Sequence, residues 1–226
     1  MASLVLWLHV AIGVVALAAY WTAGLARKGS PVHRAAGKVF LLAMLVILAT
    51  SLVFVARMAL RGALVNAAFF AYLIVISGTA LATGWLSLRF KREHARYHGP
   101  WFQALGLFNV LCGVGVLALG LTESQVVLIG FSMVGLIRGG LMLWLSHQPE
   151  SPRWHLREHL GAMIGNGVAV HVAFLLVGLK RLLPPGYEHS TELIGWLLPL
   201  GVATIAGVVF GRRYRAPPKP LSASAP

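Results

Sequence analysis

Two histidines, His9 and His171, lie inside long apolar runs of the sequence. Ionisable side chains are costly within a bilayer and usually mark a functional site there. Gly13 follows His9 by four residues and Gly167 precedes His171 by four, so each imidazole shares a helix face with a glycine. Each glycine leaves space beside the imidazole on its helix. Two such helices could hold a porphyrin edge-on between them. The spacing therefore predicts His9 and His171 as axial ligands of a b-type haem in the outer half of the membrane.

A structural role is the alternative for the same two residues. A buried neutral histidine can form a hydrogen bond with a hydroxyl group on a neighbouring helix, and the apolar runs offer Ser77, Thr79, Thr83 and Thr50. Glycines spaced four residues apart also let membrane helices approach closely. The sequence has two such pairs, Gly135 with Gly139 and Gly161 with Gly165.

His33 and His159 each stand at the start of an apolar run and are the candidate ligands of a second, inner haem. His159 and His171 are 12 residues apart on one predicted helix. This spacing gives a rise of about 18 Å and directions about 120° apart, so one cofactor is not expected to touch both. Arg34 and Arg157 are the candidates for binding the haem propionates.

Histidines also recur at i, i+4 spacing in "HARYH" at 94–98 and in "HLREH" at 155–159. Such a pair on a helix can bind one metal ion, which keeps a metal-dependent membrane enzyme as an alternative. The arginines around both pairs repel a dication, and the three-box pattern of the membrane di-iron desaturases and hydroxylases is absent. We therefore predict no metal site and expect a solvated basic surface.

Arg138 lies in the middle of an apolar run, with no acidic residue in reach along the sequence. We expect its guanidinium group to bind helix C-terminal carbonyls, to extend towards the membrane surface, or to bind an anionic ligand such as a propionate. No Asp or Glu lies deep in any run. This argues against a carboxylate-based proton pump and against a sodium-coupled transporter.

The composition predicts what positions these side chains. Hydrophobic residues make up 58% of the 226 residues and charged residues 11%, whereas soluble domains have about 25% charged residues. Seven runs are long enough to cross a bilayer, at 3–25, 36–57, 63–88, 101–121, 124–145, 157–180 and 191–211. We predict an all-α integral membrane bundle of seven transmembrane helices as a single domain, 1–211. A disordered, basic and proline-rich tail, 212–226, is expected to follow it.

The basic residues indicate how this bundle is oriented. Fourteen lysines and arginines fall in alternate loops and the tail, and four fall on the opposite side. The positive-inside rule then places the N-terminus outside and the C-terminus in the cytoplasm, in a bacterial inner membrane. The basic loops are expected to contact anionic lipids. This distribution argues against nucleic acid as a partner, and the single Cys112 excludes an intramolecular disulfide.

Two segments resemble a bacterial family of multi-span membrane proteins with no established activity. They are "RKGSPVHRAAGKVFLLAMLV" and "HLREHLGAMIGNGVAVHVAFL". The matching features are Lys28-Gly29, His33-Arg34 and Gly37 in the first, and His159 with Met163 in the second. The resemblance implies an integral membrane bundle. A weaker similarity, in the paired histidines, is to the di-haem membrane cytochromes of the b type.

Three functions remain open from the sequence. The first is a haem b electron-transfer protein that exchanges electrons with a quinone or another redox partner. The second is a non-enzymatic membrane carrier or assembly partner with structural histidines. The third is a metal-dependent membrane enzyme that uses the two histidine pairs.

Overall fold

The computed structural model describes residues 2–178 and 188–213. These residues form helices and connecting turns, with no β-strand among them. The helices are α1 (Ala2–Leu25), α2 (Pro31–Leu60), α3 (Leu64–Arg89), α4 (His94–Tyr97), α5 (Pro100–Thr122), α6 (Val126–Leu145), α7 (Trp154–Ala173) and α8 (Glu188–Arg213). A π-helical turn, Phe174–Gly178, continues α7.

Seven helices are long and apolar enough to cross a membrane, and they coincide with the seven predicted runs. The prediction of an all-helical bundle with seven helices able to cross a membrane is therefore confirmed. The short helix α4, which lies directly before α5, was not predicted. Helix α8 includes Arg212 and Arg213, which were assigned to a disordered tail. The remainder of that tail, 214–226, lies outside the described residues.

Local sequence explains where α2 begins and where the turns lie. The Ser30 hydroxyl caps α2 by accepting a hydrogen bond from the His33 amide at 3.2 Å, and Pro31 occupies the first turn. Gly29 and Gly62 adopt φ of +80° and +78° in the turns on either side of α2. Only glycine adopts this conformation without strain.

The bundle is built from antiparallel helix pairs, two of consecutive helices and one of helices distant in sequence. Helices α5 and α6 form the most extensive pair, followed by α1 with α2 and by α3 with α7. Helix α3 also contacts α2 and α5, so it lies at the centre together with α7. We name the end of the bundle that carries residues 26–30, 90–99 and 146–153 the basic end.

The bundle is apolar outside and partly polar inside, as expected for helices surrounded by lipid. Large apolar side chains such as Leu42, Leu111 and Ile137 are exposed on its outer surface. The buried set includes the polar side chains of Thr79, Thr83, Ser87, Asn109, Ser132, Glu158 and Asn166. The polar groups therefore face neighbouring helices, and any site built from them lies inside the bundle.

Candidate functional site

His9 is bound within the pair formed by α1 and α2. Its Nδ1 lies 2.7 Å from Thr50 Oγ1, and its ring packs edge-on against Phe54 with centroids 5.2 Å apart. The Thr50 hydroxyl donates its proton to the carbonyl oxygens of Val46 and Ile47. Nδ1 of His9 therefore carries the proton and donates it to Thr50. This contact corresponds to the structural role that the sequence left open for His9, and Thr50 is one of the four hydroxyl partners named for it.

This contact leads to a modest prediction for stability. Thr50→Val removes the acceptor of a half-buried imidazole N–H at nearly constant volume. We expect the free energy of unfolding to fall by about 1–3 kcal/mol, measured by denaturant titration in detergent. Thr22→Val is the matched control, because the exposed Thr22 hydroxyl serves only the Ala18 carbonyl. An equal effect of the two substitutions would remove any special role for the His9 contact.

His171 has both ring nitrogens engaged. Its Nδ1 lies 2.7 Å from the Gly167 carbonyl oxygen, and the Trp21 indole N–H donates to its Nε2 at 3.1 Å. The Tyr20 ring packs edge-on against the imidazole. The space expected at Gly167 is filled, because a Cβ added there would collide with the Tyr20 hydroxyl. To bind iron, His171 would have to give up the indole of Trp21.

The structure does not bring His9 and His171 together. His171 contacts Trp21 on α1, and Trp21 follows His9 by 12 residues, or about 18 Å of helix rise. Trp21 also lies four residues before α1 ends at Leu25, so His171 is near the half of α1 closest to the basic end. The expectation that His9 and His171 flank one porphyrin is therefore corrected.

His33 and His159 share a different environment at the basic end. Nδ1 of His33 lies 2.9 Å from the Ala23 carbonyl oxygen, and Nδ1 of His159 lies 2.9 Å from the Gly84 carbonyl oxygen. A carbonyl oxygen only accepts, so both rings carry their proton on Nδ1. Neither Nε2 has a hydrogen-bond partner among the described residues.

The two arginines predicted beside these histidines differ in their surroundings. Arg34 follows His33 directly and is exposed. Arg157 donates a hydrogen bond to the Ser151 hydroxyl in the turn before α7. Arg34 is thus the more available of the two for an anionic group.

The i, i+4 histidine pairs do not form a metal centre among the described residues, where no group of three or more His, Cys, Asp or Glu side chains is placed to bind an ion. The rings of His94 and His98 stack with centroids 4.1 Å apart, and His98 also packs on Trp154. Nδ1 of His98 faces the His94 carbonyl oxygen. Aromatic packing at the basic end therefore explains the "HARYH" pair.

Arg138 does have an acidic partner, contrary to the expectation from sequence. Its Nη2 lies 2.6 Å and its Nη1 3.4 Å from the two carboxylate oxygens of Glu158 on α7. The Glu158 side chain is 9% exposed and that of Arg138 is 25% exposed. The fully buried Tyr97 hydroxyl donates to Glu158 Oε2 at 3.1 Å. The guanidinium charge is thus neutralised inside the bundle, and an anionic ligand is not needed for that purpose.

A line of buried polar groups continues from this ion pair into the bundle. The Tyr97 hydroxyl also lies 3.2 Å from the Thr83 carbonyl oxygen, and the Thr83 hydroxyl donates to the Thr79 carbonyl oxygen. The side-chain amide of Asn109 donates to Thr79 Oγ1 at 2.8 Å. We name Arg138, Glu158, Tyr97, Thr83, Thr79 and Asn109 the polar column. Sequence reasoning missed it, although the acid at position 158, at the start of an apolar run, was a visible signal.

Comparison with protein-family models, with curated proteins and with solved structures found no match to this chain.

Proposed function

We propose that the protein is a haem b electron-transfer protein of the bacterial inner membrane, with His33 and His159 as the axial ligands. The observation that carries the proposal is the shared state of the two rings. Each Nδ1–H is held by a backbone carbonyl, which leaves the Nε2 lone pair for a metal. Metal-binding histidines are commonly oriented in this way, because the second hydrogen bond selects the tautomer and the ring direction.

The surroundings of the pair also suit a haem. Helices α2 and α7, which carry the two ligands, do not form one of the extensive pairs of the bundle. Gly37 lies one helical turn from His33, and a Cβ added there would meet nothing within 4 Å. Lys28 and Arg34 at the same end supply positive charge for propionates. The Lys28 amine already serves the C-terminal carbonyls of α1, so Arg34 is the better candidate.

A haem bound in this way would supply one-electron chemistry, and the chain would supply its position in the membrane. By the positive-inside rule the basic end faces the cytoplasm, the N-terminus lies outside and the C-terminus is cytoplasmic. The partners that fit such a site are a quinone within the bilayer or a soluble redox protein at the cytoplasmic surface. Anionic lipid headgroups would contact the same basic loops.

The proposal is tested by the visible spectrum of protein purified after expression with ample haem. We expect a Soret band, with a shift on reduction by dithionite, in the unaltered protein. The band should be lost in His33→Leu and in His159→Leu. His147→Leu is the matched control, because His147 also has Nδ1 on a backbone carbonyl but is exposed at the end of α6. A well-folded protein without a Soret band, or equal loss in the control, would overturn the proposal.

A second candidate is a non-enzymatic carrier or assembly partner. The observations that favour it are the polar column and the engagement of His171 by protein groups alone. On this view, replacing His33 and His159 with leucine changes the stability of the protein. It leaves the visible absorption spectrum and the binding of the partner unchanged. Folded protein that never takes up haem would favour this candidate over the first.

A further inference from the structure

Two asparagines in the bundle core each leave a carbonyl oxygen without a donor. Asn109 and Asn166 are both 0% exposed, and Oδ1 of each lacks a hydrogen-bond partner. Their amide nitrogens are used: Asn109 Nδ2 lies 2.7 Å from the Leu105 carbonyl oxygen, and Asn166 Nδ2 lies 3.1 Å from that of Ala162. Turning either amide over would place an oxygen against a carbonyl oxygen. The orientation with Oδ1 unpaired is therefore fixed by the neighbours.

The two amides lie at one level of the bundle. Asn109 on α5 binds Thr79. A Cβ added at Gly165, next to Asn166 on α7, would lie 3.8 Å from the Cβ of Ala80. Thr79 and Ala80 are consecutive residues of α3. One helical turn nearer the basic end, Thr83 lies beside Tyr97 and the Glu158–Arg138 ion pair. The asparagines thus lie at the end of the polar column that is farther from the basic end.

Unpaired amide oxygens are unfavourable in such a place, because no lipid or bulk water can satisfy them. A buried water typically makes about three hydrogen bonds to polar groups of this kind. A cation suits the position less well. Among the described residues neither asparagine has a carboxylate as a hydrogen-bond partner, and the guanidinium group of Arg138 lies about one turn away.

We propose that the bundle core at Asn109 and Asn166 is a binding site for ordered water that is shared by the two side chains and donates to both Oδ1 atoms. This water extends the polar column from Asn109 to Asn166. The site involves neither His33 nor His159, so it is independent of the proposed haem.

The first test is a double-mutant cycle on the two oxygens. Asn109→Leu, Asn166→Leu and the double variant are compared by thermal unfolding in nanodiscs, all in a Thr79→Val background that removes the direct partner of Asn109. If shared water binds both amides, either single variant lowers the unfolding midpoint and the second adds little. Independent effects, or a midpoint that rises with each substitution, would overturn the proposal. If a leucine variant fails to fold, the corresponding serine variants serve in the same cycle.

The second test distinguishes water from a cation. The unfolding midpoint of the unaltered protein is measured in sodium, potassium and choline chloride at equal ionic strength. We expect the three midpoints to agree. A higher midpoint in sodium or potassium that disappears in the double variant would replace the water site with a cation site. Density from electron microscopy at a resolution that shows waters should contain a peak within hydrogen-bond distance of an Oδ1 atom, and its absence there would contradict the proposal.

Discussion

Replacing Glu158 with glutamine is expected to lower the free energy of unfolding by about 3–5 kcal/mol, which is the usual cost of breaking a buried ion pair from one side. The substitution keeps the shape of the side chain and removes its charge. The guanidinium group of Arg138 would then stay charged within the bundle, with no other carboxylate among its hydrogen-bond partners in the described part of the chain. The measurement is denaturant or thermal unfolding of the purified protein in detergent or nanodiscs.

The chain offers a matched control for this substitution. Glu93 pairs with Arg96 at 2.9 Å, but those side chains are 49% and 67% exposed. Exposed pairs contribute about 0–1 kcal/mol, so Glu93→Gln should have little effect. The large difference expected between Glu158→Gln and Glu93→Gln comes from burial, because the chemical change is the same.

Removing the cation as well should recover stability. In the double variant Arg138→Met, Glu158→Gln no unpaired charge remains, so the double variant should be more stable than Glu158→Gln alone. A double variant less stable than both single variants would show that the two side chains contribute through other contacts. A loss of less than about 1 kcal/mol in Glu158→Gln would place the ion pair in contact with water.

The positions of the spans could be predicted from sequence because they depend on local composition. A run of about 20 apolar residues must satisfy its backbone within a helix, whatever the rest of the chain does. The structure therefore confirms all seven runs and moves mainly their ends. Helix α2, for example, begins at Pro31 rather than at 36, since Ser30 caps it from within a polar loop.

The pairing of Arg138 with Glu158 could not be predicted in this way. The two residues lie 20 positions apart on different helices, and their contact depends on how α6 and α7 are rotated about their axes. The same holds for His171, whose partner Trp21 is 150 positions away. Residue types and spacing indicated which side chains are unusual, but helix rotation and depth decide which of them meet.

The prediction that glycines four residues apart allow helices to approach closely holds at one position and fails at another. At Gly139 an added Cβ would lie 2.5 Å from the Gly106 carbonyl oxygen, so the predicted close approach of helices is confirmed there. At Gly161 an added Cβ would meet nothing within 4 Å, and the prediction is wrong for that residue. The pairs Gly135 with Gly139 and Gly161 with Gly165 have the same spacing. They differ in whether the glycine faces a neighbouring helix.

Gly139→Ala is expected to have the second large effect on stability. The added methyl group would meet backbone atoms of Gly106 and Val110 on α5, at 2.5 and 2.9 Å. Backbone atoms cannot move aside alone, so α5 and α6 must separate along the most extensive helix pair of the bundle. Overpacking costs about 1–3 kcal/mol and occasionally more. We expect a loss at the upper end of this range, measured by thermal unfolding.

Gly140→Ala provides the comparison that isolates packing. Gly140 is the next residue of the same helix, and a Cβ added there would meet nothing within 4 Å. Both substitutions gain the same helix propensity, about 1 kcal/mol in favour of alanine. Gly140→Ala should therefore be neutral or stabilising, and the difference between the two variants measures the cost of separating α5 from α6. Equal stability of the two would mean that α5 and α6 are not in the close contact seen between Gly139 and Gly106.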